Sequence, residues 1–271
     1  MGSGSKIQDK RRLFQHRDLL IGFTYRHIDR QTKGSWLGLL WVFLNPLLML
    51  GLFFLVFGLI MGGGFGVGDN PGPFDYPLGI FIGLTVMGQI TETMGQSPGL
   101  ILSYQNLVKK VVFPLHILPP ALVGSIFFKT LMSCGMALVA LFFLTDTLTW
   151  QALWFPVILF PMLLLSLGLG WLLSALGVYF RDSQQLMGFL GTALFYGSAV
   201  FYPSTRIPAP IYDYLKYNPV LQAIELSRDV LLWNVALDLE KLIYLYVTGI
   251  VSMVVGYFCF QWMRSGFADV L

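Results

Sequence analysis

The sequence predicts an all-α membrane protein with six membrane-spanning helices, and two observations support this fold class. Of the 271 residues, 56% are hydrophobic and only 11% are charged, whereas an ordinary soluble domain has about 25% charged residues. The hydrophobic residues also fall into long runs, most of them near or above the roughly 20 residues with which a helix crosses a bilayer. Lipid is therefore the expected solvent around most of this chain.

The six apolar runs are distributed along almost the whole chain. Proline and glycine interrupt several of them, which a membrane helix tolerates when its neighbours satisfy the freed backbone groups. We predict spans at Trp36–Met61, Tyr76–Gln96, Ile117–Thr145, Leu153–Phe180, Leu186–Tyr202 and Leu242–Met263. The membrane domain then covers residues 36–263, between an N-terminal segment of residues 1–35 and a C-terminus of residues 264–271.

The distribution of lysine and arginine predicts the orientation. Twelve of the 17 lie on the side that holds both termini, four lie in one long loop on the opposite side, and Lys129 lies within a span. Because cytosolic segments carry the excess of these residues, we predict that both termini are cytosolic.

Three segments outside the spans are predicted to be short helices. Residues 13–28 have an amphipathic pattern typical of a helix in the membrane interface, with a solvated basic tail as the alternative. Residues 98–116 hold a helix-compatible stretch on the cytosolic side, bounded by prolines. The external loop 203–241 holds two amphipathic pieces separated by Asn218-Pro219, a turn signal. The apolar side of the first helix is Leu13, Phe14, Leu20, Ile21, Tyr25 and Ile28.

Motifs for catalysis or metal binding are missing from the sequence. There is no GxxxxGK[ST] motif to hold a nucleotide phosphate, so any ATP and Mg²⁺ are expected on a partner. The three histidines lie outside the spans without HExxH spacing, and neither cysteine has a CxxC partner. We therefore predict no catalytic residue, no metal, no bound cofactor and no nucleic-acid partner.

Two charged residues, Glu92 and Lys129, lie within predicted spans. Such charges are costly in lipid and are candidate functional groups. The sequence leaves open whether they pair, whether Lys129 snorkels, or whether Glu92 is simply hydrated near the interface. A proton- or sodium-coupled carrier would show more acidic groups at the midplane, which weakens the interpretation as a secondary transporter.

The predicted fifth span is rich in aromatic residues near its outer end. Phe195, Tyr196, Phe201 and Tyr202 lie within eight residues, just before Pro203. Aromatic faces provide contact area with little directional cost, which suits a path along which a sugar polymer slides. Ordinary helix packing explains the same pattern.

Five motifs, in order along nearly the whole chain, resemble the permease subunit of ATP-binding-cassette exporters for O-antigen, capsule and teichoic-acid polysaccharides. The chain is most similar to the lipopolysaccharide O-antigen branch of these exporters. The motifs are KGSWLGLLWVFLNPLL (Lys33–Leu48), NLVKKVVFPLHILP (Asn106–Pro119), LGVYFRD (Leu176–Asp182), YNPV with LSRDVLLW (Tyr217–Val220 and Leu226–Trp233), and GFADVL (Gly266–Leu271).

This resemblance implies a homodimer in the bacterial inner membrane with two cytosolic ATPase subunits. It also implies a channel for lipid-linked polysaccharide between the two permeases, a cytosolic coupling helix in segment 98–116 and external gate helices in loop 203–241. Arg181 and Asp182 are then expected at the cytosolic entrance, and Glu92 with the four aromatic residues along the channel. The alternatives are a teichoic-acid permease or, from another class, a secondary transporter or passive channel-forming protein.

The ATPase contact is predicted between Asn106 and Phe113. An apolar centre with a charged rim is the pattern of a protein interface; the alternative is that the two lysines only anchor span ends. The coupling residues are Asn106, Val108, Lys109, Lys110, Val111 and Phe113.

Overall fold

The computed structural model describes residues 17–29, 36–38, 40–62, 65, 74–110, 113–145 and 149–271, without the side chains of 108–110, 268 and 269. These residues form helices and connecting turns, and no strand occurs among them. A π-helix, Phe54–Ile60, continues α2. The helices are α1 (17–29), α2 (Leu40–Phe53), α3 (Asp75–Gln96), α4 (Leu100–Ser103), α5 (Gln105–Lys110), α6 (Leu118–Leu144), α7 (Phe155–Tyr179), α8 (Ser183–Gly197), α9 (Ala209–Leu215), α10 (Pro219–Leu231), α11 (Leu239–Met263) and α12 (Phe267–Val270).

Four segments of the described chain are long and apolar enough to cross a membrane. They are Leu40–Ile60, Leu115–Leu144, Trp150–Tyr179 and Leu239–Gly266, and they coincide with the first, third, fourth and sixth predicted spans. The chain is therefore an integral membrane protein. Helix α3 lies at the predicted second position and has 22 residues, about 33 Å at 1.5 Å per residue. It is less apolar than the four because threonine, glutamine and glutamate interrupt it.

The fifth helix has other bounds than the predicted span Leu186–Tyr202. Helix α8 begins at Ser183 and ends at Gly197, so its 15 residues span about 22 Å, less than the roughly 30 Å of a hydrocarbon core. The chain leaves the helix through Ala199, whose φ of 51° lies in the left-handed region. Phe201 and Tyr202 thus lie beyond the helix.

Helix α3 lies at the centre of the bundle and packs against α2, α6, α7, α8 and α10. More than half of its residues are buried, and they form the main hydrophobic core with α6, α7 and α10. The closest helix pair is α7 and α11. A Cβ at Gly256 would lie 2.1 Å from the carbonyl oxygen of Gly168, and one at Gly168 would lie 2.2 Å from that of Ser252. Only glycine allows this approach.

Both ends of the described chain join a second apolar group, here called the terminal cluster. Phe23 of α1 packs edge-on against Tyr104 and Phe113, with ring centroids 5.8 and 5.4 Å apart. Phe267 of α12 is fully buried and packs against Phe260. The C-terminal residues are thus docked on the bundle. The buried members of the cluster are Phe23, Leu100, Ile101, Leu115, Leu118, Ala121, Leu122, Ile126, Ala175, Val178, Phe260 and Phe267.

Helix α1 is present as predicted, but its docked face differs from the predicted apolar face. Phe23 is buried and Leu19 packs beside it, whereas Ile21 and Tyr25 are 52% and 62% exposed. The predicted residues Leu13 and Phe14 lie outside the described residues. Helix α1 therefore has one apolar side that packs on the protein and a second one that is exposed.

The two short helices predicted in loop 203–241 are present as α9 and α10, and we call them together the hairpin. Helices α9 and α10 are separated at Asn218, whose side chain accepts a hydrogen bond of 3.0 Å from the amide of Val220 and caps α10. The apolar side of α10 is buried against α3 and α7. The hairpin lies at the end of the bundle where α3 begins and α8 ends.

Candidate functional site

A cavity of about 700 Å³, here called the central cavity, lies between α2, α3 and α6. It extends along α3 from Phe81 to Glu92, eleven residues or roughly 16 Å. Its walls are mostly apolar, and Phe201 lies at one end of it with Phe53 and Phe81. Most of its polar lining groups are on α3 and α6: Thr85, Glu92, Lys129, Thr130 and Ser133.

Glu92 and Lys129 form an ion pair at the end of the central cavity that lies away from Phe201. The carboxylate also accepts a hydrogen bond of 2.7 Å from the side-chain amide of Gln96, one turn along α3. The side chains of Lys129 and Glu92 are only 27% and 32% exposed. The structure therefore answers the question that the sequence left open, because the two charges pair and both line the central cavity.

A second polar contact between the same two helices lies beside the ion pair. The hydroxyl of Thr130 donates to Oε1 of Gln89 over 2.8 Å, and both residues are buried. Gln89, Glu92 and Gln96 follow one another at three- and four-residue spacing, so they lie on one face of α3. This polar face joins α3 to α6 and supplies the hydrophilic edge of an otherwise apolar cavity.

Phe201, at the other end of the central cavity, belongs to a group of four aromatic residues that we call the aromatic cluster. Phe57, Tyr76, Phe195 and Phe201 come from the π-helix after α2, the start of α3, the end of α8 and the turn beyond it. Phe201 stacks on Phe57 and meets Phe195 edge-on, with centroids 5.8 and 5.3 Å apart. The Tyr76 hydroxyl donates a 2.9 Å hydrogen bond to the carbonyl of Phe201. The cluster thus joins three segments that are distant in sequence.

The predicted aromatic path residues separate into two groups. Phe195 and Phe201 belong to the aromatic cluster, and Phe201 lines the central cavity together with Glu92. Tyr196 is 63% exposed on the outside of α8. The hydroxyl of Tyr202 donates a hydrogen bond to the carbonyl oxygen of Tyr196. Tyr196 and Tyr202 are therefore adjacent to each other but do not line this cavity.

At the opposite end, Arg181 and Asp182 are exposed in the turn between α7 and α8. A cavity of about 480 Å³ lies close to this turn, because Gln184 lines it with residues of α1, α3 and α4. The structure thus places the two residues predicted for the entrance near an opening of mixed polarity.

The predicted coupling segment forms helix α5, preceded by α4. Asn106 is exposed at its start, as is Gln105. Phe113 packs instead against Phe23 within the subunit. Val111 and the side chains of Val108, Lys109 and Lys110 lie outside the described part of the structure.

Sequence reasoning missed Arg228, which is only 2% exposed. Its guanidinium donates to the carbonyls of Gly79, Ala199 and Val200. A signal was present, since Arg228 continues the apolar stripe of Leu221 and Ile224 on α10, where a solvent-exposed arginine would not occur. Burial lowers the pKa of Arg228 to about 9, and the side chain remains charged at neutral pH.

Known proteins resemble this chain from end to end. The family described as "ABC-2 type transporter" matches residues 20–232. An O-antigen export system permease protein RfbA of Myxococcus xanthus is 28% identical, over 96% of this chain and 97% of its own length.

Two further proteins are similar to this chain over most of its length. A protein of that name from Klebsiella pneumoniae is 28% identical, over 94% of this chain and 95% of its own length. The polysialic acid transport protein KpsM of Escherichia coli is 25% identical, over 81% of this chain and 83% of its own length. Because the family match covers well over half of the residues and includes α1 through α10, the chain belongs to the ABC-2 type transporter family.

Proposed function

We propose that this chain is the permease subunit of an ATP-driven exporter that moves lipid-linked polysaccharide, O-antigen or capsule, across the bacterial inner membrane. The observation that carries the proposal is its end-to-end similarity to O-antigen export permeases. O-antigen is favoured over capsule because the polysialic acid protein is similar over a smaller share of the chain. In a strain that lacks this gene, expressing the chain should restore surface polysaccharide only when its ATPase is also present. Restoration without any ATPase would refute the proposal.

In this function the chain crosses the membrane six times, with both termini in the cytosol. Helix α3 and the α8 segment through Tyr202 are the two spans beyond the four apolar ones, and buried polar residues of α3 such as Gln89 and Thr93 face protein instead of lipid. Gln105 and Asp182 are both exposed at one end of the bundle. Single cysteines at these positions should react with an impermeant thiol reagent only from the cytosol. Labelling of either from outside would contradict the six-span topology.

The channel lies at the interface of a homodimer. Support comes from α2 and α8, whose apolar surfaces are largely unburied: α2, which lines the central cavity, has no buried residue, and α8 has only Gly191. The mass of the intact complex in mild detergent should correspond to two permease chains and two ATPase chains. A complex with one permease chain would contradict a channel between subunits.

ATP and Mg²⁺ bind to the partner, which docks at α5. Asn106 and Gln105 are exposed there and available for contact. Because Phe113 is engaged with Phe23, Val108→Asp is a cleaner test than a change at Phe113. This variant should weaken co-purification of the ATPase or uncouple its hydrolysis, and Gln151→Asp at the opposite end should leave both intact. The purified permease alone should hydrolyse no ATP.

The sugar polymer passes along the aromatic residues at the end of α8, and the Glu92–Lys129 pair lies further inside. A sliding polymer requires many shallow contacts, which aromatic faces supply with little directional constraint. Replacing Tyr196 and Tyr202 together with alanine should lower surface polysaccharide while the amount of permease and its ATPase binding stay normal. A loss of export that merely follows protein abundance would leave these tyrosines as packing residues.

A further inference from the structure

Arg228 occupies a site that three separate elements build around its guanidinium. Nε donates to the carbonyl of Gly79 in α3 over 2.9 Å, and Nη1 donates to that of Ala199 over 2.9 Å. Nη2 donates to the carbonyl of Val200. Within the described residues, no carboxylate lies within ion-pair distance of this cation. Its charge is therefore compensated by backbone dipoles, two of which belong to the turn after α8.

The space for the guanidinium comes from two glycines one turn apart on α3. A Cβ at Gly83 would lie 2.7 Å from Nη2 of Arg228, and one at Gly79 would lie 2.5 Å from the ring of Phe65. The Phe65 ring covers the guanidinium at 4.4 Å from its central carbon, within the range of a cation–π contact. Any larger residue at position 83 would compete with the arginine for this space.

The carbonyls of Ala199 and Val200 lie in the turn at which the chain leaves α8. Ala199 has a φ of 51°, a conformation that is costly for a residue with a Cβ unless its surroundings hold it. Ala199 and Val200 are buried, and the carbonyls of a buried turn need hydrogen-bond donors from elsewhere in the protein. Arg228 supplies two of them, and Val200 directly precedes Phe201 of the aromatic cluster.

Helix α10 holds the same turn at a second point. The side-chain amide of Asn218 donates to Oγ of Ser198 over 2.9 Å. The start of α10 thus holds the beginning of the turn, and Arg228, nearly three helical turns later, holds its end. The hairpin and residues 198–201 are linked as one unit.

We propose that Arg228 is a positioning residue that seats Phe201 at the outer end of the central cavity and makes the turn after α8 move together with the external hairpin. This inference rests on the proposed export function and deepens it. Arg228 does not touch the polymer. It determines whether the aromatic cluster at the exit is assembled, and it transmits displacement of α10 to that cluster.

The test uses the complete permease–ATPase complex and four variants. Arg228→Gln removes the charge and the forked donor, and Arg228→Lys keeps the charge but has a single nitrogen in place of the planar fork whose three nitrogens each reach a different carbonyl. Gly83→Ala displaces the guanidinium from the opposite helix. Gly95→Ala, also on α3 but with no atom within 4 Å of the added Cβ, is the matched control.

Hydrogen exchange should rise locally in the first three variants. The amides of residues 198–203 should exchange about tenfold faster or more, as expected when charge-assisted hydrogen bonds are lost. Exchange in α4, α5 and α12 should stay unchanged. Surface polysaccharide should fall several-fold, while the amount of complex and its ATP hydrolysis remain. Adding Gly83→Ala to Arg228→Gln should have no further effect, because both changes empty the same site.

Several results would overturn the proposal. Unchanged exchange at 198–203 would mean that other contacts hold the turn, and faster exchange with normal export would mean that the turn does not control the exit. An increase throughout the chain, with loss of complex in all three variants, would make Arg228 a general folding residue. If the wild-type complex itself exported no polysaccharide, the proposed function would fail, whereas the exchange data would still show whether Arg228 holds the turn.

Discussion

The α7–α11 pair and the α2–α8 side of the bundle differ sharply in how they are packed. Along α7 and α11, glycines bring the two backbones together so closely that no Cβ would fit. On α2 no residue is buried, and on α8 only Gly191 is. Both kinds of surface are apolar, so composition does not separate them.

This difference shows which helices find all their packing partners within a single chain. Lipid tails are as apolar as leucine, and helices therefore associate in a membrane by close van der Waals contact and hydrogen bonds. The α7–α11 pair uses such contact fully. Helices α2 and α8 do not, and α2 borders the central cavity. We infer that their partners are a second copy and the transported polymer.

The largest expected effect comes from breaking the tightly packed pair. Gly256→Ala would place a Cβ 2.1 Å from the carbonyl oxygen of Gly168, and a backbone atom cannot turn aside as a side chain can. Overpacking typically costs about 1–3 kcal/mol, and we expect the upper end here. The amount of folded permease in the membrane should fall strongly. Gly135→Ala on α6, which meets nothing within 4 Å, should leave that amount unchanged.

The next effect concerns the ion pair at the edge of the central cavity. Glu92→Gln and Lys129→Gln each leave one charge without its partner, whereas the double variant leaves none. Breaking a fully buried pair costs about 3–5 kcal/mol. Because about a third of each side chain is exposed, we expect about 1–3 kcal/mol for each single change.

Thermal unfolding of the purified complex provides the measurement for the pair. Both single variants should unfold at lower temperature, and the double variant should return close to the wild type. If the loss of unfolding temperature in the double variant equalled the sum of the two single losses, the two residues would act independently. The ion pair would then not stabilise the folded state.

On the loosely packed side, replacement of an exposed residue should hardly change stability. Tyr196→Ala removes a ring that is 63% exposed, and such changes usually stay within about 0.5 kcal/mol. Export should nevertheless decrease if α8 faces the polymer. Trp262→Ala on α11, where the ring is 82% exposed, is the control and should export normally. Equal losses in both variants would indicate a general effect of membrane-exposed aromatic residues.

Most helices could be predicted because lipid imposes a simple rule on the sequence. A span must satisfy its backbone internally and expose apolar side chains, so long apolar runs become helices. The hairpin was also predictable, since Asn218 and Pro219 form a local turn and cap signal. These features depend on neighbours in sequence alone.

The features that were missed depend on residues far apart in sequence. The turn that follows α8 is bound by Arg228, which is 29 residues from Ala199, and the apolar character of 186–202 does not reveal this contact. Glu92 and Lys129 are 37 residues apart, so the sequence alone did not determine whether they pair. In α1 both sides carry apolar residues, and only the position of Tyr104 and Phe113 selects Phe23 as the docked one.

The smallest expected effect concerns Asp229, in the hairpin between the tightly and loosely packed sides. Burial raises the pKa of this carboxyl from 3.8 to about 6; Glu225 and Asp238 add to the shift, whereas Lys241 and Arg228 oppose it. The folded state therefore binds the proton more tightly than the unfolded chain does. This group favours folding most below the ordinary pKa, and its contribution is lost as pH rises to about 6.

Asp229→Asn should remove this pH dependence, because the amide does not titrate. Between pH 4 and 6 the stability of the wild-type complex should decline relative to the variant, and at pH 7.5 the variant should unfold at a slightly higher temperature. After solvent screening of this partly exposed group, the gain should be about 1 kcal/mol at most. Asp213→Asn, at an exposed residue paired with Lys216 on α9, should show no such gain. Parallel pH profiles for the wild type and Asp229→Asn would mean that Asp229 titrates as an ordinary surface carboxyl, and that the half of the hairpin around it is as open as the α2–α8 side.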